Sequence, residues 1–89
     1  MDREKQLKQD FESACENIKQ AKNLDNNTLL NLYGLFKQST EGDCNISKPS
    51  FYDVKGIAKW NAWSDNKGLD ASITMKRYIK EVNKILSNQ

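Results

Sequence analysis

Tyr33-Gly34-Leu35-Phe36-Lys37-Gln38 and, further along, Lys59-Trp60-Asn61-Ala62-Trp63 are the two stretches that decide the fold and the chemistry of this chain. Each stretch places a lysine beside aromatic rings in a segment that we predict to be helical. Together they pair fixed positive charge with flat apolar surface. This combination suits a ligand that joins an anionic nucleotide to an apolar tail.

The apolar periodicity around these stretches predicts four amphipathic helices. The first covers Arg3 to Lys22, where apolar residues recur at alternating steps of four and three. The second covers Thr28 to Ser39, preceded by capping side chains at Asp25-Asn26-Asn27. Its leucines and phenylalanine are spread widely around the helix, so it is expected to contact neighbours or a ligand on more than one side.

The second half of the chain supplies a loop and the two remaining helices. Glu41 to Phe51 is rich in glycine, asparagine, serine and proline, which predicts a long ordered loop. The third helix is predicted from Tyr52 to Asn66 with Gly68 as its stop, and the fourth from Ala71 to Ser87 with Asp70 as its cap. No segment alternates as a strand would, so the predicted fold is all-α. The predicted apolar stripe of the fourth helix comprises Ile73, Tyr78, Val82 and Ile85.

The length and composition predict a single small domain over residues 1–89. Hydrophobic residues make up 37% and charged residues 29% of the chain, which is too apolar for a disordered protein. No apolar run approaches the ~18 residues of a membrane span, and residues 1–6 lack the apolar stretch of a signal peptide. We therefore expect a cytoplasmic location without stable membrane insertion.

Charge and cysteine content weigh against nucleic-acid and metal partners. The 14 basic and 12 acidic residues leave a net charge of +2, and all the basic residues except Arg3 and Arg77 are lysines. Nucleic-acid recognition favours arginine forks on a strongly basic face. The chain has no histidine, and Cys15 and Cys44 lie far apart, so we predict no zinc site and no disulfide. Cys15 is expected to be a core residue and Cys44 a free thiol in a loop.

Catalytic motifs are missing from the sequence. The four glycines are isolated, so neither a phosphate-binding loop nor a dinucleotide fingerprint is present. Histidine, the usual general base, is absent, and no serine nucleophile motif or HExxH occurs. Carboxylate pairs such as Glu12 and Glu16 are interpreted as solvated surface. We therefore predict a binding protein that needs no cofactor rather than an enzyme.

Helical spacing places the candidate binding residues in two pairs. Tyr33 and Lys37 lie four residues apart on the second helix, and Lys55 and Lys59 have the same relation on the third. If these faces meet across a groove, cationic and phenolic groups converge there. Lysines suit phosphates as point charges, and Tyr33 offers a flat partner for a base.

An ordinary structural interpretation exists for each of these residues. Paired surface lysines usually form a solvated face, and tryptophans such as Trp60 and Trp63 usually belong to the core. Tyr78 lies on an apolar stripe, and Lys19 is a natural ion-pair partner of a nearby glutamate. Spacing alone therefore supports only a small helical protein with a candidate anion groove.

The order of these motifs resembles the acyl-CoA-binding protein family. The resemblance runs from Phe11 to Leu86 and includes the linking stretch Ser39-Thr40-Glu41-Gly42-Asp43-Cys44-Asn45. Family sequences show a similar tyrosine–lysine–glutamine run, a Gly-Asp pair, a proline and a KWxAW motif. The resemblance implies a four-helix bundle with up-down-down-up topology.

The resemblance also implies the roles of individual residues. It assigns the nucleotide and its phosphates to Lys19, Tyr33, Lys37, Lys59 and Tyr78. It places Lys55 and Gln38 near the ligand, and Leu29 and Leu30 in a trough for the acyl chain. It assigns Trp60 and Trp63 mainly to structure, and it assigns the contact between the first and last helices to Phe11, Ala14, Ile18, Ile79, Val82 and Leu86.

The chain departs from the family pattern at several positions. No proline precedes the second helix, and the segment before it is one residue shorter. Phe36 stands where tyrosine is usual, Ile57 where lysine is common, and Thr74 where alanine is frequent. The lysines implied to contact phosphates are all present. The acyl-length preference, which depends on the shape of the trough, is left open by these changes.

The function implied is that of a non-catalytic intracellular carrier. Such a protein binds and sequesters medium- to long-chain acyl-CoA esters and delivers them to acyl-CoA-using enzymes through transient contacts. A monomer is expected. The alternative is a helical protein-interaction module that uses the leucine-rich second helix as its contact surface. A third reading, a fragment of a larger enzyme, is disfavoured by the absence of a second domain in these 89 residues.

Overall fold

Four α-helices, connected without strands over residues 2–89, make up the computed structural model, which describes that range. They are α1 (Asp2–Asn17), α2 (Asn26–Glu41), α3 (Val54–Ser64) and α4 (Ala71–Ser87), and a short 3-10 helix (Ile18–Gln20) follows α1. The prediction of an all-α fold is confirmed. Within this range, no helix combines the length and the apolar character needed to cross a membrane.

Contacts between the helices fix their relative directions. Phe11 packs against Tyr78, and Lys22 is hydrogen-bonded to Gln89, so α1 and α4 run parallel. Helices α2 and α4 are antiparallel. Phe36 lies beside Tyr78, whereas Ser39, later on α2, is hydrogen-bonded to Thr74, earlier on α4. Helices α2 and α3 are parallel, because Tyr33 of α2 lies beside Lys59 of α3, and Lys37, one turn later on α2, lies beside Trp63, one turn later on α3. The up-down-down-up topology is confirmed.

The main core lies between α1, α2 and α4. Val82 is fully buried at its centre, and the Phe11 ring meets Tyr78 edge to face with the ring centroids 5.0 Å apart. Helix α3 stands outside this core and packs against α2. The buried apolar residues of the core are Phe11, Ala14, Leu32, Leu35, Tyr78 and Val82.

The observed bounds of α1 and α2 differ from the predicted ones, because a 3-10 helix follows α1 and a side-chain cap begins α2. Helix α1 ends at Asn17 rather than Lys22, because the next residues narrow to a 3-10 turn and Asn23 takes a left-handed conformation with φ 61°. Helix α2 starts two residues early, since Asp25 accepts a 2.8 Å hydrogen bond from the amide of Thr28. The predicted capping role of Asp25 is confirmed.

Helix α3 is shorter at both ends than predicted. Asp53 accepts a hydrogen bond from the amide of Gly56, which starts the helix at Val54 instead of Tyr52. The helix ends at Ser64, and residues 65–68 continue as turns, the last of them being Gly68 at φ 88°. Gly68 therefore closes the turn that follows the helix rather than the helix itself.

Helix α4 has the predicted bounds, but two details of it were wrong. Asp70 occupies the capping position, yet its carboxylate accepts from the Ser72 hydroxyl and not from a backbone amide. Ile73, assigned to the apolar stripe, is 42% exposed, whereas Thr74 beside it is fully buried. Thr74 tolerates this position because its hydroxyl lies 2.8 Å from that of Ser39.

The long connection between α2 and α3 is held against the helices by polar contacts. The Trp63 indole donates to the Gly42 carbonyl over 2.7 Å, and the Trp60 indole donates to the Ile46 carbonyl over 2.9 Å. Asp43 Oδ1 accepts from Gln38 Nε2 and from the Gly68 amide, each over 2.8 Å. The predicted ordered loop is therefore confirmed, and both tryptophans contribute to its order.

Gly34 allows the backbones of α2 and α3 to touch. A Cβ atom at this position would overlap with the Ala62 carbonyl group and lie 2.9 Å from Asn66 Nδ2. No larger residue fits without moving one helix away from the other. The distance between α2 and α3 is therefore set by the absence of a side chain.

We predict that Gly34→Ala destabilises the protein by about 1–3 kcal/mol, the usual cost of overpacking. The direction of the change is informative, because helix propensity alone would make alanine stabilise a helix interior by ~1 kcal/mol relative to glycine. The matched control is Asn31→Ala, an exposed site on the same helix, which should leave stability equal or slightly higher. Urea unfolding followed by circular dichroism measures both. Gly34→Ala as stable as the wild type would contradict the close contact.

We also predict a pH-dependent contribution from Asp43. The Gly68 amide and the Gln38 side chain hold the pKa of this carboxyl below its usual range. Because the pKa is lower in the folded than in the unfolded protein, the charged carboxylate stabilises the fold at pH values above the unfolded pKa of about 3.9. This stabilisation is lost as the pH falls through the folded-state pKa. Asp43→Asn should therefore melt below wild type at pH 7, and the gap should narrow below pH 4. Melting temperatures recorded by circular dichroism between pH 3 and pH 7 measure this, and a difference between variant and wild type that does not change with pH would contradict a stabilising role of the Asp43 charge.

Candidate ligand-binding groove

An open groove of about 470 Å³ lies between α2 and α3. Leu29 and Leu30 contribute apolar surface from α2, and Val54 and Ala58 face them from α3. Tyr33, Lys55 and Lys59 add one phenol and two ammonium groups. The groove therefore combines an apolar interior with cationic groups along one side. Its eight lining residues are Asn26, Leu29, Leu30, Tyr33, Val54, Lys55, Ala58 and Lys59.

Helical geometry explains why these residues share one groove. On α2, Asn26, Leu29, Leu30 and Tyr33 follow the spacing of zero, three, four and seven that defines one helix face. On α3 the lining residues come as two adjacent pairs, 54–55 and 58–59, one turn apart. Because α2 and α3 run parallel, the aromatic and lysine ends of the two faces meet at the same level.

Lys59 and Tyr33 are in direct contact across this level of the groove. The Lys59 ammonium lies 5.6 Å from the centroid of the Tyr33 ring, within the range of a cation–π interaction. Lys55 lies one turn earlier on α3 and also lines the groove. The Tyr33 face and the Lys55–Lys59 face therefore meet across the groove, and their part in binding an anion stays a prediction.

Lys37 lies one turn beyond Tyr33, past the end of the groove. Its ammonium sits over the Trp63 ring at 4.6 Å from the centroid and forms an ion pair with the Glu41 carboxylate. The hydrogen bond to Glu41 raises the pKa of Lys37 above its usual range. Lys37 is thus fully charged and partly covered, and any anion that binds it must compete with Glu41.

Lys19 lies apart from the groove, on the 3-10 helix that follows α1. Its side chain is largely exposed and forms a 3.0 Å ion pair with Glu16, three residues earlier. The ordinary interpretation offered by the sequence, an ion pair with a nearby glutamate, therefore describes its contacts in this structure. An exposed pair of this kind contributes at most about 1 kcal/mol, so Lys19 can readily exchange partners.

Tyr78 is also away from the groove, inside the core. The residue is 5% exposed, and its ring packs against the rings of Phe11 and Phe36. Burial raises the pKa of the hydroxyl well above its usual range, and burial likewise raises the pKa of the neighbouring Cys15 thiol. Both groups are therefore neutral near pH 7. Tyr78 keeps its predicted place on the α4 stripe, and its predicted part in ligand binding stays a prediction.

Three lining residues were missed by the sequence-based reasoning. Asn26, Val54 and Ala58 are small or polar, and none belongs to an aromatic–lysine motif. Helical spacing was the available signal for two of them, since Asn26 lies three residues before Leu29 and Ala58 three residues after Lys55. Val54 is the chain neighbour of Lys55, and spacing gave no signal for it. Gln38, the less certain candidate, is buried beneath the loop and bonds to Asp43 and Leu69.

The groups that the groove offers a ligand include a phenol, two ammonium groups and apolar side chains. Within residues 2–89, no group of three or more potential metal ligands is found. Cys15 packs against the core and Cys44 lies in the loop, and both are free thiols. The fold and the groove thus define a small all-α protein with an open site for an amphiphilic anion.

Comparison with known proteins identifies the family. The family described as "Acyl CoA binding protein" matches residues 8–82. Rat diazepam-binding inhibitor-like 5 is 43% identical over 90% of this chain and 93% of its own length. The acyl-CoA-binding protein homolog 1 of Caenorhabditis elegans is 41% identical over 86% of this chain and 91% of its own length. The chain belongs to the acyl-CoA-binding protein family.

A solved structure supports the same assignment at the level of the fold. The crystal structure of acyl-CoA-binding protein 2 from Oryza sativa superposes with a TM-score of 0.96 and 30% sequence identity. The match covers 99% of this chain and 97% of the rice protein. The four-helix architecture described above is therefore the acyl-CoA-binding protein fold.

Proposed function

We propose that this protein is a non-catalytic carrier that binds medium- to long-chain acyl-CoA esters and buffers their concentration. The observation that supports this most strongly is the groove between α2 and α3, where an apolar floor and lysines occur together. An acyl-CoA ester has the same two parts, a polyanionic nucleotide and an apolar chain. Family membership and the names of the relatives point to the same class of ligand.

The proposed division of the site follows the chemistry of each side chain. Tyr33 stacks with the adenine, Lys37 and Lys59 bind phosphates, and Lys19 binds a phosphate from the 3-10 helix that follows α1. Lys55 supports the charge along the groove. The acyl chain lies against Leu29 and Leu30, where Val54 and Ala58 complete the apolar surface. Tyr78 is proposed to act from the core side, beneath the nucleotide.

We further propose that the carrier acts as a monomer in the cytoplasm and releases its ligand to acyl-CoA-using enzymes in transient contacts. A second candidate function, a protein-interaction module, is favoured by one observation, the 48% exposure of Leu29 on α2. In that case substitutions in the lysine set would leave acyl-CoA binding unchanged.

The free energy from burying the acyl chain, compared with that from ion pairs to the phosphates, predicts how strongly the site prefers acyl-CoA over free CoA. Burying eight methylenes of an acyl chain contributes about 6 kcal/mol, at ~0.8 kcal/mol each. An exposed ion pair contributes only about 0–1 kcal/mol. Because each ~1.4 kcal/mol is a factor of ten in affinity, we expect a sixteen-carbon acyl-CoA to bind roughly ten-thousandfold more tightly than free CoA, with one ligand per protein. Isothermal titration calorimetry with both ligands measures this, and equal affinities would disprove the proposed trough.

Charge substitutions at Lys37 test the nucleotide half of the site. Lys37→Met should weaken acyl-CoA binding by about tenfold, because a charged hydrogen bond to phosphate is lost. Glu41→Gln should strengthen it by about twofold to fivefold, since it removes the carboxylate that competes for Lys37. Affinity for the wild type should fall as salt rises.

The matched control for these substitutions is Lys80→Met. Lys80 is exposed on α4, on the side of the helix opposite the buried Tyr78, so its loss changes net charge equally without touching the proposed site. Control affinity should stay within about twofold of wild type. Equal weakening by Lys37→Met and Lys80→Met would mean that only net charge matters, and an unchanged affinity in Lys37→Met would favour the protein-interaction function.

A further inference from the structure

A cluster of apolar side chains stands out from the protein at one end of the groove. Phe51 is 88% exposed, Tyr52 76% and Val54 74%, and the rings of Phe51 and Tyr52 meet edge to face with their centroids 5.5 Å apart. Leu29, 48% exposed on α2, lines the groove together with Val54. These four residues are called the apolar rim. Clustered exposed apolar groups of this size mark an interaction surface.

The charge around the apolar rim is positive. Between residues 46 and 59 the chain carries three lysines, Lys48, Lys55 and Lys59, and one acidic residue, Asp53. The Asp53 carboxylate is turned to the backbone, where it accepts from the Gly56 amide. Lys48 is exposed, with its ammonium 5.9 Å from the Trp60 ring. Aromatic rings beside lysines suit the boundary between apolar lipid chains and anionic headgroups.

The apolar rim is continuous with the groove. Leu29 and Val54 belong to both, so an apolar chain can pass from the rim to the groove floor along apolar surface. A ligand that leaves a bilayer by this route avoids exposing its chain to water. The rim is too small for a standard protein interface, which takes about 20–30 residues a side, whereas a few aromatic side chains and lysines suffice for a lipid surface.

We propose that the apolar rim, together with Lys48 and Lys55, is a docking surface for anionic lipid bilayers, at which the groove is loaded and unloaded. This inference rests on the proposed carrier function for its purpose. The docking itself requires no ligand in the groove. It is a reversible surface contact made by the loop that precedes α3, by the first turn of that helix and by Leu29 of α2.

Flotation of the protein with lipid vesicles, in the absence of acyl-CoA, tests the docking directly. One set of vesicles contains phosphatidylcholine alone, and the other replaces one third of it by phosphatidylserine. We expect binding to the anionic set, stronger than to the neutral set by about fivefold for each lysine that reaches the surface, and weakened by salt. Absence of binding to the anionic vesicles would overturn the proposal.

Two variants locate the surface. The double substitution Phe51→Ser/Tyr52→Ser removes both exposed rings but no groove-lining residue, and it should lower binding to anionic vesicles at least tenfold. The control Ile73→Ser removes an apolar side chain that is 42% exposed on α4, a helix packed against α1 and α2 rather than α3. It should bind vesicles as the wild type does. Vesicle binding retained in the double variant would also overturn the proposal.

Calorimetry with a long-chain acyl-CoA in lipid-free buffer separates this inference from the carrier function. The double variant should bind the acyl-CoA with wild-type affinity, because Phe51 and Tyr52 do not line the groove. Loss of vesicle binding with intact acyl-CoA binding supports the docking surface. Intact acyl-CoA binding without any wild-type vesicle binding rejects the docking surface and keeps the carrier. Vesicle binding without acyl-CoA binding rejects the carrier and keeps the lipid contact.

Discussion

The contact between Gly34 and the backbone at Ala62 is the constraint on which the site depends. Helix α3 lies outside the main core and is positioned by its packing on α2, so the closeness of these two helices sets the geometry of the groove. Tyr33 is adjacent to Gly34, and Lys59 precedes Ala62 by three residues. A change in this one distance would therefore separate the aromatic ring from the lysine that covers it.

Parallel packing of α2 and α3 imposes a second requirement, because the chain must return along the length of α2 before α3 can begin. The connection over residues 42–53 meets this requirement with little regular structure of its own. The indole groups of Trp60 and Trp63 hold two of its carbonyls, and Asp43 joins it to the turn before α4. The two tryptophans of α3 thus hold the loop in place, while Lys55 and Lys59 of the same helix remain exposed.

Sequence periodicity predicted the features that depend on neighbours along one helix. It gave α4 its bounds and placed Tyr33, Lys55 and Lys59 on facing surfaces. It was wrong where a cap or turn decides, as at the end of α1 and at both ends of α3. It also could not show that Thr74 rather than Ile73 points inward, because burial of a hydroxyl depends on Ser39, thirty-five residues away in the chain.

Two of the lysines assigned to phosphates, Lys19 and Lys37, are ion-paired with glutamates within the protein. Under the proposed function, each phosphate must therefore replace a carboxylate, and a ligand with a single negative charge gains little from the exchange. A ligand with several phosphates gains more, because it reaches several lysines at the cost of ordering one molecule. Under that function, internal pairing of this kind would favour polyanionic ligands over simple fatty-acid carboxylates, and the apolar groove would then distinguish acyl-CoA esters from other nucleotides.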